Sequence, residues 1–400
     1  MRLIFFLTVI LHTPVFSQNE FKIPVLEKDI FLNYDEELKE LFSPSKQVDQ
    51  DSVFDIELVR YRLDSLNKTS PLNLVFNQTV LQHIKFYLFQ RKNQVSKLLS
   101  LSDYYFPIFE EYLDKNNLPL ELKYLPIIES SLNPNAKSSA GAVGLWQFMY
   151  LTAKDYGLRV NSYLDERKDI YKSTQAACDY LDKAYKVFKN WDLALSSYNA
   201  GRRNVTKAIR RSGGKFNYWE LRPFLPKETR NYIPSFIAAL YVLNFAEQHG
   251  ISKTQERLFT IHEVDTIHIN RPIKISHLAQ ILQIETSLIE DLNPAYKIKL
   301  IPYLDTETFP ITLPHNKVGV FLVNQNMIYN QIDSMETKEQ LEYPAFTDIE
   351  KFRYRVKKGD YLGKIAKKFK CSINDIMLWN DLKNHKIKIG QKLNIYRTVK

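Results

Sequence analysis

The chain has 400 residues and a mass of 47.1 kDa, more than one compact core ordinarily holds, so a single small module is excluded. Hydrophobic residues make up 44% and charged residues 25%, with only 11 Gly and 17 Pro, which excludes a disordered or fibrous chain. The formal net charge is +10, yet Phe352 to Lys400 alone hold fourteen Lys and Arg against three acidic residues, so the excess lies in the tail. Such a tail can grip nucleic acid, another anionic polymer or a membrane surface, and composition does not choose among them.

At the N-terminus, Met1-Arg2 precedes an apolar run from Leu3 to Leu11 and then Val15-Phe16-Ser17, which predicts a signal peptide over 1–17. The run is too short to cross a bilayer, and no cysteine near the cleavage point offers a lipid anchor. Export argues against nucleic acid as partner and points to the cell envelope, with periplasmic, outer-membrane and peripheral membrane placement all open. Cys178 and Cys371 fall in different predicted domains, so no disulfide framework is expected; both read as buried fillers.

Residues 18–100 read as an N-terminal helical region without a motif. Over 101–250 helical periods dominate, as in Thr174 to Phe188 and Tyr232 to Phe245. Asn133-Pro134, Gly157, Gly201 and Pro226 interrupt them, giving an all-α domain. The last third changes character: residues 353–397 read as strand, two short helices, strand. Shifted back by 87 positions, this block finds a faint copy within 260–315, with Ile267 on Tyr354, Leu278-Ala279 on Ile365-Ala366 and Leu292-Asn293 on Trp379-Asn380. The intervening 316–352 is expected to be a linker, its polar part running from Asn324 to Lys351. The fold class predicted is multidomain: an all-α domain followed by small α+β modules of βααβ order.

The chemistry concentrates in Leu125 to Gln147. Glu129 ends an apolar helical segment, where low polarity should raise its pKa toward the value a general acid needs near neutral pH. Asn133-Pro134 then breaks the helix, and Gly141 and Gly144 permit a tight loop. Gln147 offers an amide suited to an amino sugar's N-acetyl group or hydroxyls, and Tyr198-Asn199 stand just before the helix-ending Gly201. Asp165 and Glu166 are the best candidates for a second carboxylate, although a charged surface turn is the preferred reading for both.

Taken together, Glu129-Ser-Ser, Gly144-Leu-Trp-Gln147 and Ser197-Tyr-Asn-Ala-Gly201 resemble lytic murein transglycosylases of the soluble-lytic-transglycosylase type, specifically the membrane-bound D class. Tyr124-Leu-Pro ahead and Glu228 to Pro234 behind belong to the same pattern. The resemblance covers about 104 to 245 and implies a lysozyme-like catalytic fold, a peptidoglycan substrate and no cofactor or metal. It makes Glu129 the catalytic acid and base, places Ser138, Gln147, Tyr198 and Asn199 along the sugar groove, and has Tyr232 support the acid. Trp146 and Ser197 stand where many members have Met and Ala, which implies altered packing or subsite preference with the chemistry retained. The tail, from Tyr354 to Leu393, resembles a lysin motif (LysM), which implies binding of N-acetylglucosamine-containing glycans by the Gly359, Asp360, Tyr361, Leu362 loop and the loop around Asp381 to Lys386. The upstream copy has Pro272-Ile273 in place of Gly359-Asp360, so sugar binding there is not expected. The family resemblance implies cleavage of the β-1,4 bond between N-acetylmuramic acid and N-acetylglucosamine with formation of 1,6-anhydromuramic ends; hydrolysis of the same bond as a muramidase, or a non-catalytic wall-binding role, are the alternatives.

Overall fold

The computed structural model describes residues 54–254, 260–339, 343, 348–380, 382 and 384–399. The expected signal peptide and the first part of the N-terminal region lie outside them. No helix among the described residues is long and apolar enough to cross a membrane.

The helical part contains α1 (Ile56–Thr69), α2 (Gln78–Lys85), α3 (Lys92–Lys115), α4 (Leu125–Ser130), α5 (Tyr150–Asp155), α6 (Ile170–Phe188), α7 (Trp191–Ala200), α8 (Arg202–Arg211), α9 (Tyr218–Leu221) and α10 (Thr229–Phe245). Side-chain caps set several starts: Asn77, Asp169 and Asn190 accept from the backbone N–H three residues on, and so begin α2, α6 and α7. Helix α10 is apolar nearly all round and buried from Tyr232 to Val242, so it forms the axis on which α2, α4 and α7 pack. Phe236, Ile237 and Leu240 are each almost wholly withdrawn from water, and burial of each such side chain contributes roughly 1.5–3 kcal/mol.

Helix α3 runs unbroken through the expected boundary at residue 100, and Val59, Leu63 and Ile84 share one core with Phe109 and Phe236. The described part of the N-terminal region therefore packs as an integral layer of the helical domain. Helical periodicity marks its helices but does not say which core they join.

The first module comprises β1 (Val264–Ile269), β2 (Ile273–Lys274), α11 (Ile275–Leu282), α12 (Thr286–Leu292), β3 (Leu300–Ile301) and β4 (Phe309–Pro314). Strand β1 pairs antiparallel with β4, Ile267 opposite Ile311, and β2 with β3. The expected linker is corrected here. Helices α13 (His315–Val323) and α14 (Gln325–Glu339) occupy much of it and bury Val318, Phe321, Ile328 and Ile332 in the core of this module. Polarity misled because α14 buries only a narrow stripe and exposes the rest.

The second module has β5 (Asp348–Arg355), α15 (Leu362–Phe369), α16 (Ile373–Trp379) and β6 (Lys392–Val399), with β5 antiparallel to β6. The repeat holds in atomic detail. Asn293 clasps the end of α12 to β4 through the Ile289 carbonyl and both backbone groups of Thr312, and Asn380 clasps α16 to β6 through Ile376 and Asn394 in the same way. Gln283 and Lys370, also 87 apart, end α11 and α15 with the same φ of 53°.

Candidate active site

Glu129 sits in the last turn of α4, which stops because Ser131 and Leu132 both adopt left-handed backbone angles, φ 51° and 59°. Such angles cost non-glycine residues about 1–2 kcal/mol each, so the surroundings must hold them. Gln94 Nε2 donates to Ser131 Oγ at 2.9 Å, Ser130 Oγ donates to the Leu145 carbonyl at 2.8 Å, and Leu132 is buried. The chain thus reverses directly after the carboxyl group and leaves Glu129 half-buried.

The phenol of Tyr232, on α10, donates to Glu129 Oε1 at 2.5 Å. Burial lifts the Glu129 carboxyl from its ordinary 4.5 to about 7, and the Tyr232 hydrogen bond, which favours the charged form, only partly opposes that lift. Tyr198 Oη donates instead to the Trp146 carbonyl at 2.7 Å. Burial first, and then the neighbouring Glu129 charge, raise both phenols well above 10, so both remain protonated.

The adjoining loop is built from short bonds. Ser138 Oγ accepts from Ala142 N at 3.0 Å, Val143 and Phe148 exchange two backbone bonds of 3.1 Å, and Ser138 itself is half-buried. Gln147, at φ 48°, turns its amide nitrogen to the carbonyls of Gly144 and Ala136, at 2.8 and 3.3 Å. The expected outward presentation of its donors is corrected: they close the loop on itself. Asn199 is exposed, and its Oδ1 accepts from Thr229 Oγ1 at 2.8 Å, tying α7 to α10. The structure therefore gathers Glu129, Tyr232 and Tyr198 at one carboxyl group. It joins the loop of Ser138 and Gln147 to them through Trp146 and sets Asn199 at the helix junction.

Trp146 is wholly buried, donates Nε1 to Thr174 Oγ1 at 2.9 Å and stands edge-on to Phe109 at 5.2 Å, so its departure from the family pattern is a matter of packing. Asp165 and Glu166 are neither a surface turn nor a free second carboxylate. Both are buried, Asp165 against Arg167 and Glu166 against Arg159 and Lys172. Sequence reasoning missed Tyr180 and Tyr156, half-buried rings that extend a row from Tyr198 at centroid spacings of 5.0 and 5.4 Å; no motif marks either. Cys178 is buried and its thiol is pushed up to about 12, as suits a filler.

In the second module Gly359 takes φ 83°, and Asp360 accepts from Lys357 N at 2.8 Å and Tyr354 Oη at 2.7 Å, which fixes the loop. Tyr361 is 64% exposed, its ring turned to solvent beside this loop. Leu362 is corrected: at 2% exposure it packs with Ile365, Ile376 and Leu393 in the core, because it opens α15 on the inward face. Of the second expected loop, Asp381 and Lys383 lie outside the described residues. In the first module Ile273 is buried and paired with Ile301 in β2–β3, so a strand pair replaces the exposed loop.

The family Transglycosylase SLT domain matches residues 106–220, the LysM domain 354–395, and the family Lytic transglycosylase MltD, LysM-like domain 263–330. Membrane-bound lytic murein transglycosylase D of Escherichia coli strain K12 is 29% identical over 288 residues, which cover 70% of this chain and 61% of that protein. The same protein of Escherichia coli O6:H1 matches to the same extent. The chain spans less than two thirds of the length of these curated relatives. Among solved structures, the 70 kDa soluble lytic transglycosylase of Escherichia coli is similar at a TM-score of 0.32 and 20% identity, covering 51% of this chain and 37% of that one.

Proposed function

We propose, from the premise that the chain belongs to the lytic transglycosylases of the SLT type with the LysM-bearing arrangement of the membrane-bound D class, that it cleaves the β-1,4 bond between N-acetylmuramic acid and N-acetylglucosamine in peptidoglycan and leaves 1,6-anhydromuramic ends. The observation that carries this reading is one partly buried carboxyl group, Glu129, with a pKa of about 7 and a phenol holding one of its oxygens.

With Oε1 accepting from Tyr232, the proton of the neutral acid belongs on Oε2. It passes to the bridging oxygen as the C1–O4 bond breaks, and the bonding pair leaves with O4. The positive charge at the anomeric carbon is met by the substrate's own N-acetyl oxygen, as in substrate-assisted glycosidases that lack a second protein carboxylate. Glu129, now a carboxylate, takes the proton of the muramyl C6 hydroxyl, whose oxygen closes on C1. The acid is restored and no water is consumed. Asp165 and Glu166, both ion-paired, do not act as a second carboxylate, so the hydrolytic alternative would also run through Glu129, with water in place of the C6 hydroxyl attacking C1.

Ser138, Asn199 and the Tyr198 ring flank the sugar chain, and Gln147 shapes the loop that meets it. The second module retains the enzyme on the wall through Gly359, Asp360 and Tyr361, helped by its basic excess against the carboxylates of stem peptides. Placement in the cell envelope, after removal of 1–17, follows from this substrate. The full-length Glu129→Gln variant tests the assignment: it should sediment with purified sacculi and release no muropeptides, whereas undiminished release would remove Glu129 from its role.

A further inference from the structure

We infer that the first module is a buttress for the loop carrying Gln147, acting through the hairpin at 159–166, with Arg167 as the positioning residue. Only the consequence for substrate rests on the function proposed above.

The hairpin belongs to the helical domain. Val160 and Asp165 form its bridge, and Asn161 Oδ1 accepts from the N–H groups of Tyr163 and Leu164 at its tip. Tyr163 and Leu164, however, are buried in the core of the first module beside Tyr296 and Phe309. Backbone bonds continue the contact: Asp165 N donates to the Ala295 carbonyl at 2.9 Å and Lys297 N to the Tyr163 carbonyl at 2.8 Å. Lys297 Nζ reaches the Asn161 carbonyl at 2.6 Å, and Arg159 pairs with Glu307 at 2.5 Å. The module thus grips the hairpin by its tip, its edge and its base.

On the other side the hairpin leads to the active-site loop. Both carboxylate oxygens of Asp165 hold the Arg167 guanidinium at 2.8 Å, which leaves NH1 to donate to the carbonyls of Gly141 and Phe148, at 3.2 and 3.4 Å. These two carbonyls bracket the turn that contains Gln147 and the Trp146 carbonyl on which Tyr198 rests. Contact is so close that a Cβ on Gly144 would lie 1.8 Å from the Arg167 carbonyl oxygen. A guanidinium suits this place because its fixed fork satisfies one carboxylate and two carbonyls at once, which a lysine ammonium cannot match. The strand pair that takes the place of the glycan loop in this module is consistent with a duty toward the enzyme instead of the wall.

The test uses full-length Arg167→Lys and Leu164→Ala, with Leu278→Ala, which empties the core of the same module without altering a hairpin residue, as the control. Backbone amide exchange at Val143 and Phe148 should accelerate about tenfold in the first two variants and not in the control. With soluble uncrosslinked glycan strands, KM should rise about tenfold in the first two variants while kcat changes less than twofold. Simple loss of folded enzyme would lower apparent kcat at constant KM, and that pattern would overturn the proposal. So would unchanged exchange, or an equal effect in Leu278→Ala. Should the wild type release no product, the functional reading fails, while amide exchange still decides the buttress.

Discussion

Tyr232 and Glu129 stand 103 residues apart in the chain and meet at 2.5 Å, phenol to carboxylate oxygen, where α10 passes the end of α4. Burial makes the acid weak and the hydrogen bond keeps it from being weaker still. In the proposed mechanism protonated Glu129 begins the reaction, so kcat/KM should fall tenfold per pH unit above about 7. Tyr232→Phe removes the opposing bond, so that limb should move up by about one pH unit while the rate drops about tenfold. A pH–rate profile of both proteins checks the direction; a limb moving to lower pH in Tyr232→Phe would contradict it.

The same shift acts on stability with a definite sign. The folded pKa of about 7 lies above the unfolded 4.5, so the folded chain holds a proton in that window that the unfolded chain has released. Stability is therefore lost as pH rises through the window. Glu129→Gln should raise Tm by roughly 2–6 °C at about pH 8 and leave it unchanged near pH 4, as thermal scans at both values would show.

Gly144 is at φ 90° with the Arg167 carbonyl in the space a side chain would take. Gly144→Ala should cost at least about 3 kcal/mol or prevent folding of the loop, since neither backbone can retreat. Gly141, also left-handed but with open space around it, should accept Ala at about 1 kcal/mol. Denaturant unfolding of the two variants compares them directly.

Tyr361 is the exposed ring of the second module. Tyr361→Ala should weaken retention on sacculi about tenfold and leave turnover of soluble glycan strands unchanged. Pelleting and product release, measured on the same preparations, separate the two effects.

Much of this was legible in the residues because local signals agreed with the fold. Thr174 to Phe188 and Tyr232 to Phe245 carry helical periods and form α6 and α10, and Glu129 ends an apolar helix as Asn133-Pro134 suggests. The faint repeat rested on Leu278, Ile365 and Asn293, positions whose burial or clasping role both modules preserve. What stayed hidden depends on distant partners. Ser131 and Leu132 are ordinary residues whose left-handed angles are held by distant partners: Gln94 bonds Ser131, the Leu145 carbonyl anchors the preceding Ser130, and Leu132 is buried in the core. Gln147 looks like a ligand reader until the carbonyls of Gly144 and Ala136 are seen to take its donors. Asp165 and Glu166 read as a solvated turn because Arg167 and Lys172 become their partners only in the folded chain.

The single-carboxylate account is tested most directly by mass spectrometry of the muropeptides that the full-length protein releases from purified sacculi. It predicts muramic ends lighter by one water, the mark of ring closure by the C6 hydroxyl, and none from Glu129→Gln. Reducing muramic ends carrying oxygen from labelled water would contradict it and make the protein a hydrolase.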